Sequence, residues 1–462
     1  MILEAAKPSW GRFKATFSIL LTGLLISSCA LTHTMQPRGK DLEHALEMRD
    51  IPAALSIAGK PKQYRPKDRV LYYLDAGLLN YYNGDWKKSN KLLQKAEDAI
   101  EELNTKSISK SAASMLLNDN SLDYSGEDYE DVYINVFKAL NFLKLGDREA
   151  AFVEVRRIDE KLGYLEQSYA QMEKELHKDA QLKSAKKSKN TKFHASALAR
   201  YLSLMMYESE GNFDAARIDL ENIRYAFNSQ SELYPFSMPE LIDPSAKSLA
   251  PVLRVLAFVN RGPIKKAKEM HIHSSEDLLL VGSVDETVDV FSLHWPDIHE
   301  GYYFKFALPD MVERPARVSE VVAVTPDGSR YSLAKLEDMS LVARQTFEIK
   351  KSLIQLKSIT RSVLKGLAAE KAQSMASRNS SSLFAALMMI AADVAVFISE
   401  NADLRLAQFF PAQAMVAEIP LSAGQHEINL EYYSAAGNLL YRDLQTVKVQ
   451  PGSVNLVQSW CL

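Results

Sequence analysis

The sequence predicts an α+β multidomain protein: an N-terminal α-solenoid of helical repeats, followed by an antiparallel β-sandwich-like domain with an inserted helical pair. Three observations predict it. A helical-hairpin unit recurs in register three times before residue 230. Alternating apolar residues separated by Gly- and Pro-centred turns run on from Asp277 and return at Ala414. Between these β-like stretches the apolar spacing becomes helical over residues 334–400. The expected divisions are a leader at 1–28, a linker at 29–40, helical repeats at 41–230, a second linker at 231–250 and a β-rich domain at 251–462.

The clearest repeat is Ala76-Gly77-Leu78-Leu79-Asn80-Tyr81-Tyr82-Asn83-Gly84-Asp85-Trp86, followed by Ser89, Leu93 and Ala96. A second runs from Lys138-Ala139-Leu140 through Leu145-Gly146-Asp147 to Ala151, Val155 and Ile158. A third joins Leu204 and Tyr207 to Gly211-Asn212-Phe213, Ala216, Leu220 and Ile223. A degenerate fourth copy precedes them at Asp50-Ile51, with Ala54 and Ala58. This pattern resembles the tetratricopeptide (TPR) repeat, and each position has a physical reason. Glycine supplies the left-handed end of a first helix, and Asp or Asn caps the second. Gly77 and Ala139 in first helices, with Ser89, Ala151 and Ala216 in second helices, allow close packing. A Ser/Lys-rich segment at 105–114 and a charged helix at 162–182 separate the copies, so the expected solenoid is short and irregular.

The stretch from Tyr234-Pro235 to Pro244 closes the helical region, and a second domain is expected from about Ala250. Strands are expected at 278–281, 287–293, 302–308 and 318–324, the last ending at Pro326-Asp327-Gly328. A helix follows over 334–375, its apolar stripe marked by Met339, Val342, Phe347, Ile354, Ile359 and Val363. A second helix at 383–398 is apolar almost all round apart from Asp393 and too short for a comfortable bilayer span, so it reads as a core helix. Strands resume at 414–420, at Ile428, Leu430 and Tyr432, at 446–449 and at 454–457, with turns at Ala423-Gly424, Gly437-Asn438 and Pro451-Gly452.

At the amino terminus Lys7, Arg12 and Lys14 precede an apolar run at 15–26 and then Ser27-Ser28-Cys29. This has the form of a signal peptide; the run falls short of the roughly 20 residues of a transmembrane helix. Ile26-Ser27-Ser28-Cys29 resembles the lipobox of bacterial lipoproteins, which implies a diacylglycerol and an N-acyl chain on Cys29. Such chains contribute about 0.8 kcal/mol per buried CH₂ and anchor a soluble body stably. In Gram-negative lipoproteins Asp after the lipidated Cys favours the inner membrane. Ala30 stands there, so the resemblance implies a periplasm-facing attachment to the outer membrane.

Lys and Arg total 55 against 58 Asp and Glu, which argues against a nucleic-acid partner. The basic cluster Lys183, Lys186, Lys187, Lys189 and Lys192 reads as a solvated linker. With Cys29 acylated, Cys461 has no intramolecular partner, and its penultimate place suggests a mobile tail. Phosphate loops, Gly-x-Ser-x-Gly elbows and Cys-x-x-Cys pairs are missing from the sequence. His271 and His273 alternate on what would be one strand face, with His294 and His299 nearby, and are the candidate metal ligands. No acid or thiol stands at ligand spacing, so no metal or other cofactor is expected. Glu127 and Asp128 read as a helix-start cap rather than an acid/base pair, and Asp403 and Arg405 as a structural ion pair.

Tyr81-Tyr82-Asn83-Gly84-Asp85, Gly126-Glu127-Asp128-Tyr129-Glu130, Ile359-Thr360-Arg361 with Lys365, Glu400-Asn401-Ala402-Asp403-Leu404-Arg405, Pro411 and the Pro420 to Gly424 turn occur here in a characteristic order. Together they resemble an uncharacterised family of bacterial TPR-containing lipoproteins with a lipobox, TPR-like helices and a C-terminal β region. Leu406-Ala407 departs from the tryptophan expected near the arginine. The resemblance implies an envelope protein that works beside other lipoproteins and peptidoglycan synthase machinery. The leading expectation is a membrane-anchored scaffold or adaptor, not an enzyme, with Tyr72, Tyr73, Tyr81 and Tyr82 as candidate contacts to a protein partner. The alternatives are an envelope hydrolase or metal enzyme at His271/His273, and a lipid or glycan carrier using the 383–398 helix.

Overall fold

A computed structural model describes residues 36–37, 39–108, 119–178, 193–244, 251–283, 291–294, 298–375 and 402–462. Cys29, the basic cluster at 183–192 and the apolar 383–398 segment lie outside the described residues. The chain is α+β. Among the described residues eight helices come first: α1 (Lys40–Glu47), α2 (Ile51–Ala58), α3 (Arg69–Tyr82), α4 (Trp86–Ile108), α5 (Asp128–Lys144), α6 (Arg148–Lys178), α7 (Ala197–Ser209) and α8 (Phe213–Ser229). Each packs on its sequence neighbour, so they form an array of helical hairpins.

The three hairpin turns follow from their sequences. Gly84, Gly146 and Gly211 have φ of 79°, 78° and 72°, a region costly for residues with a Cβ. Asp85, Asp147 and Asn212 then accept from the backbone N–H of Lys88, Ala150 and Ala215 at 3.1, 3.0 and 3.2 Å. Gly77 touches the partner helix so closely that an added Cβ would stand 2.7 Å from Leu93 Cδ2.

The β region holds β1 (Val252–Arg261), β2 (Ile264–Ser275), β3 (Leu278–Ser283), β4 (Phe291–His294), β5 (Tyr303–Val312), β6 (Glu320–Val324), β7 (Arg330–Ser332), β8 (Ala334–Asp338), helix α9 (Met339–Met375), β9 (Pro411–Pro420), β10 (Gly424–Tyr433), β11 (Leu439–Val449) and β12 (Leu456–Cys461). Among the described residues the strands form three four-stranded sheets, ordered β12-β1-β9-β8, β11-β10-β6-β7 and β4-β3-β2-β5. Alternate residues of β1 explain the layering. Leu253, Val255, Ala257 and Val259 share a core with Val321, Ala323, Ile428, Leu430 and Tyr432 of the second sheet. Leu256 and Phe258, on the opposite face, join the helical core. The third sheet packs instead on α9 through Met270, Ile272, Phe306 and Leu308 against Ile359 and Val363.

Several expectations need correction. β structure starts at Val252 rather than Asp277, because β1 is buried on both faces and shows no alternation to read. β12 runs parallel to β1, so the sheets are not wholly antiparallel. Residues 334–338 are strand β8, not helix: pairing with β9 outweighs the helical propensity of Ala-Lys-Leu-Glu-Asp, and Asp338 caps α9 through the Leu341 N–H at 3.0 Å. Of the expected helical pair, only α9 falls among the described residues. The 231–250 linker is partly core, since Leu233 and Tyr234 are buried.

Candidate functional site

The buried polar groups concentrate where the helical array meets the chain at 402–410 and the first sheet. Asp75, on α3, is fully buried and accepts from Tyr64 Oη at 2.9 Å, Gln36 Nε2 at 3.0 Å and the Gln408 N–H at 2.8 Å. Burial outweighs these donors and pushes its carboxyl up to about 6. Glu130 stands in the first turn of α5, where the chain enters with Glu127 as N-cap. Its carboxylate takes the Glu127 N–H at 2.8 Å, Tyr124 Oη at 2.7 Å and the Ala407 N–H at 2.7 Å. Burial, reinforced by the charge of Glu127, raises it to about 7.

Arg405 is 2% exposed and carries the positive charge of this seam. Its guanidinium meets both oxygens of Asp403 at 2.7 to 3.1 Å, Asp68 Oδ1 at 3.1 Å and the Leu122 carbonyl at 2.9 Å, and lies 5.3 Å from the Tyr124 ring centroid. Burial alone would raise Asp403, but the guanidinium holds it below the usual carboxylate range. Lys265 of β2 pairs with Glu127, and Lys350 of α9 pairs with Asp128. A third buried carboxylate, Glu337 of β8, collects Tyr133 Oη at 2.6 Å, Ser196 Oγ at 2.9 Å, Tyr234 Oη at 2.9 Å and the Leu198 N–H at 2.9 Å, and burial raises it.

The sequence motifs containing Glu127, Asp128 and Glu130 and containing Asp403 and Arg405 therefore meet in space. Tyr81 and Tyr82 belong to the same seam. They are 5% and 6% exposed, and their hydroxyls donate to Gln458 Oε1 at 3.1 Å and the Phe409 carbonyl at 2.9 Å. Their place is thus interior, so of the four tyrosines read as candidate partner contacts these two are core: a Tyr pair at a helix end is large and apolar enough for that. Tyr72 and Tyr73 are half-buried, 5.3 Å apart by ring centroid, with Lys95 5.7 Å from the Tyr73 ring.

The four histidines come from three separate places on the backbone. His271 and His273 do share the outer face of β2, where His271 contacts Glu269 at 2.9 Å and the Tyr303 hydroxyl, and His273 lies 4.8 Å from the Tyr303 ring centroid. His294 is on β4, with β3 between it and β2, and His299 is in the exposed loop before β5. Among the described residues no three His, Cys, Asp or Glu side chains are arranged to hold a metal ion. Cys461 is not in a mobile tail: it pairs with Val259 at the end of β12, and burial raises its thiol.

Nothing in the local sequence marks Asp75 or Glu337, and the Gly126–Glu130 run shows Glu130 as part of a helix start but not its Ala407 donor, 277 residues away. Their burial has a measurable pH consequence. Asp75 and Glu130 hold their protons to higher pH when folded than their ordinary values of 3.8 and 4.5, so the native state binds more protons than the unfolded one across that window. Stability should therefore fall as the pH rises from about 4 to about 7, by on the order of 3 kcal/mol for each group. Urea midpoints across this range check it; Glu130→Gln should flatten the upper part of the curve.

Comparison with protein-family models, curated proteins and solved structures finds no match to this chain.

Proposed function

We propose that this protein is a lipid-anchored scaffold that faces the periplasm from the outer membrane and holds an envelope protein partner against its helical array. In this reading the hairpins form a TPR-like solenoid, the first two sheets act as a β-sandwich-like base, and acylated Cys29 confines the whole to one membrane face.

One observation carries the reading: the last helix of the array leaves large apolar side chains in solvent. Phe213, Ile218 and Tyr225 of α8 are 54%, 54% and 55% exposed. Ile218 and Tyr225 are seven residues apart and so lie on one face. Tyr164 of α6 is a further exposed aromatic side chain of the array, at 59%. A helix face of that kind is suited to an apolar segment of another protein. The buried carboxylates join the helices to the β region, which gives such a face a rigid base.

Photocrosslinking amino acids at Ile218 and Tyr225 in intact cells test the proposal, with exposed Glu101 of α4 as the comparison site. The expected result is a discrete envelope-protein adduct from positions 218 and 225, absent from 101 and weakened by Cys29→Ser. Equal labelling from all three sites, or adducts unaffected by Cys29→Ser, would sink the reading.

A further inference from the structure

A cavity of about 400 Å³ opens where the turn between α5 and α6 meets the turn between β11 and β12. That volume lies within the range of small-molecule sites. Lys144, Arg148 and Lys448 line it, together with Gly146, Gly452 and Ser453. Among the described residues the lining includes no carboxylate.

These three cations are not spent on ion pairs among the described residues. Arg148 donates to Ser209 Oγ at 3.0 Å, and Lys144 lies 5.9 Å from the Trp86 ring centroid. The acid whose charge reaches Lys144 is Asp443, which is itself occupied by Gln445 Nε2 at 2.8 Å and by the Ser459 hydroxyl. Asp147 is engaged at the Ala150 N–H at 3.0 Å, capping α6. Burial pushes Lys144 below the usual lysine range, while the charge of Asp443 acts the other way.

The walls leave room for a ligand. Gly146 and Gly452 have φ of 78° and 65°, and a Cβ at Gly146 would meet nothing within 4 Å. The amino end of α6, a 31-residue helix, enters at the same place and adds the positive end of its dipole. Three like charges around one concavity repel one another, and an anion seated among them would relieve that repulsion. One carboxylate would neutralise only one of them. A phosphoryl group, with a charge of about −1.5 to −2 and three acceptor oxygens, matches the set better.

We propose that this cavity binds a phosphate-bearing small molecule, its phosphoryl oxygens held by Lys144, Arg148 and Lys448. The inference stands apart from the scaffold reading. A soluble phosphorylated compound and a phospholipid headgroup share this chemistry. The fold favours the soluble source, because the amino-terminal chain enters through α1 and then seats Arg49 over Trp460 and Tyr441, at the other end of β11 and β12.

Isothermal titration of the full mature chain in detergent, with inorganic phosphate and with glycerol 3-phosphate, tests it. Vesicle flotation with the Cys29→Ser chain on phosphatidylglycerol and on phosphatidylcholine forms the second arm. Arg148→Gln and Lys448→Gln alter exposed side chains, and circular dichroism verifies that both variants fold. Saturable binding should weaken about tenfold for each cation removed and should fall with ionic strength. Variant-sensitive binding of the free phosphates identifies a soluble ligand; variant-sensitive binding seen only on phosphatidylglycerol identifies a headgroup. Absence of saturable binding in both arms, or an affinity unchanged in the double variant, overturns the proposal.

Discussion

Replacing Arg405 by Met should lower the unfolding free energy by about 3–5 kcal/mol, the range for breaking a buried ion pair from one side. The guanidinium is buried between Asp403 and Asp68, which belong to segments far apart in the chain. With it gone, both carboxylates stay in a site with few other positive partners, and the Leu122 carbonyl loses its donor. Arg405→Lys should recover only part of the loss, because a point charge cannot span both Asp403 oxygens while reaching Asp68. Urea unfolding followed by tryptophan fluorescence measures both variants. In the double variant Arg405→Met with Asp403→Asn the loss should be smaller than the sum of the single losses, since one uncompensated charge is removed with its partner. Additive losses would mean that the pair is not coupled as its geometry requires.

The second large effect is expected at Glu337. Its carboxylate receives four donors from three segments of the helical region and its continuation: Tyr133, Ser196, the Leu198 N–H and Tyr234. Glu337→Ala leaves all four without their acceptor and opens a cavity beneath β8, a loss of about 3–5 kcal/mol. Glu337→Gln should cost about 1–2 kcal/mol, because the tyrosine and serine hydroxyls can rotate to meet an amide while the Leu198 N–H still finds the amide oxygen. Tyr133→Phe removes one bond and should cost about 1 kcal/mol. That ordering, read from denaturant midpoints, separates loss of the acceptor from loss of packing. Equal losses for Ala and Gln would place the contribution in the charge instead.

Both sites also join parts of the chain that the sequence suggests are separate domains. Phe137 of α5 lies 5.1 Å from Phe258 of β1 and 5.9 Å from Phe410 by ring centroid, so the aromatic core is continuous across that boundary. A cut near residue 245 would expose this surface along with Asp75, Glu130 and Glu337, which no longer would have their acceptors or donors in one piece.

The sequence alone determined the local features. The helical hairpins were legible because Gly84, Gly146 and Gly211, each followed by Asp or Asn, specify a left-handed turn and a cap within a few residues. The later strands were legible because in β10 apolar Ile428, Leu430 and Tyr432, all fully buried, alternate with polar Asn429 and Glu431 in the sequence. Only tertiary structure decided the rest. β1 gave no alternation because it is covered on both faces, and residues 334–338 became strand because β9 offers them an edge. The same holds for the seam. Asp75 and Glu337 look like ordinary charged residues in the sequence, and the local Asp403/Arg405 and Glu127/Glu130 patterns do not announce Asp68 or the Ala407 N–H as further partners; burial and contacts hundreds of residues away supply these. The three cations of the proposed phosphate site were invisible for the same reason, since Lys144 and Arg148 meet Lys448 only when a helical turn and a β-turn are brought together.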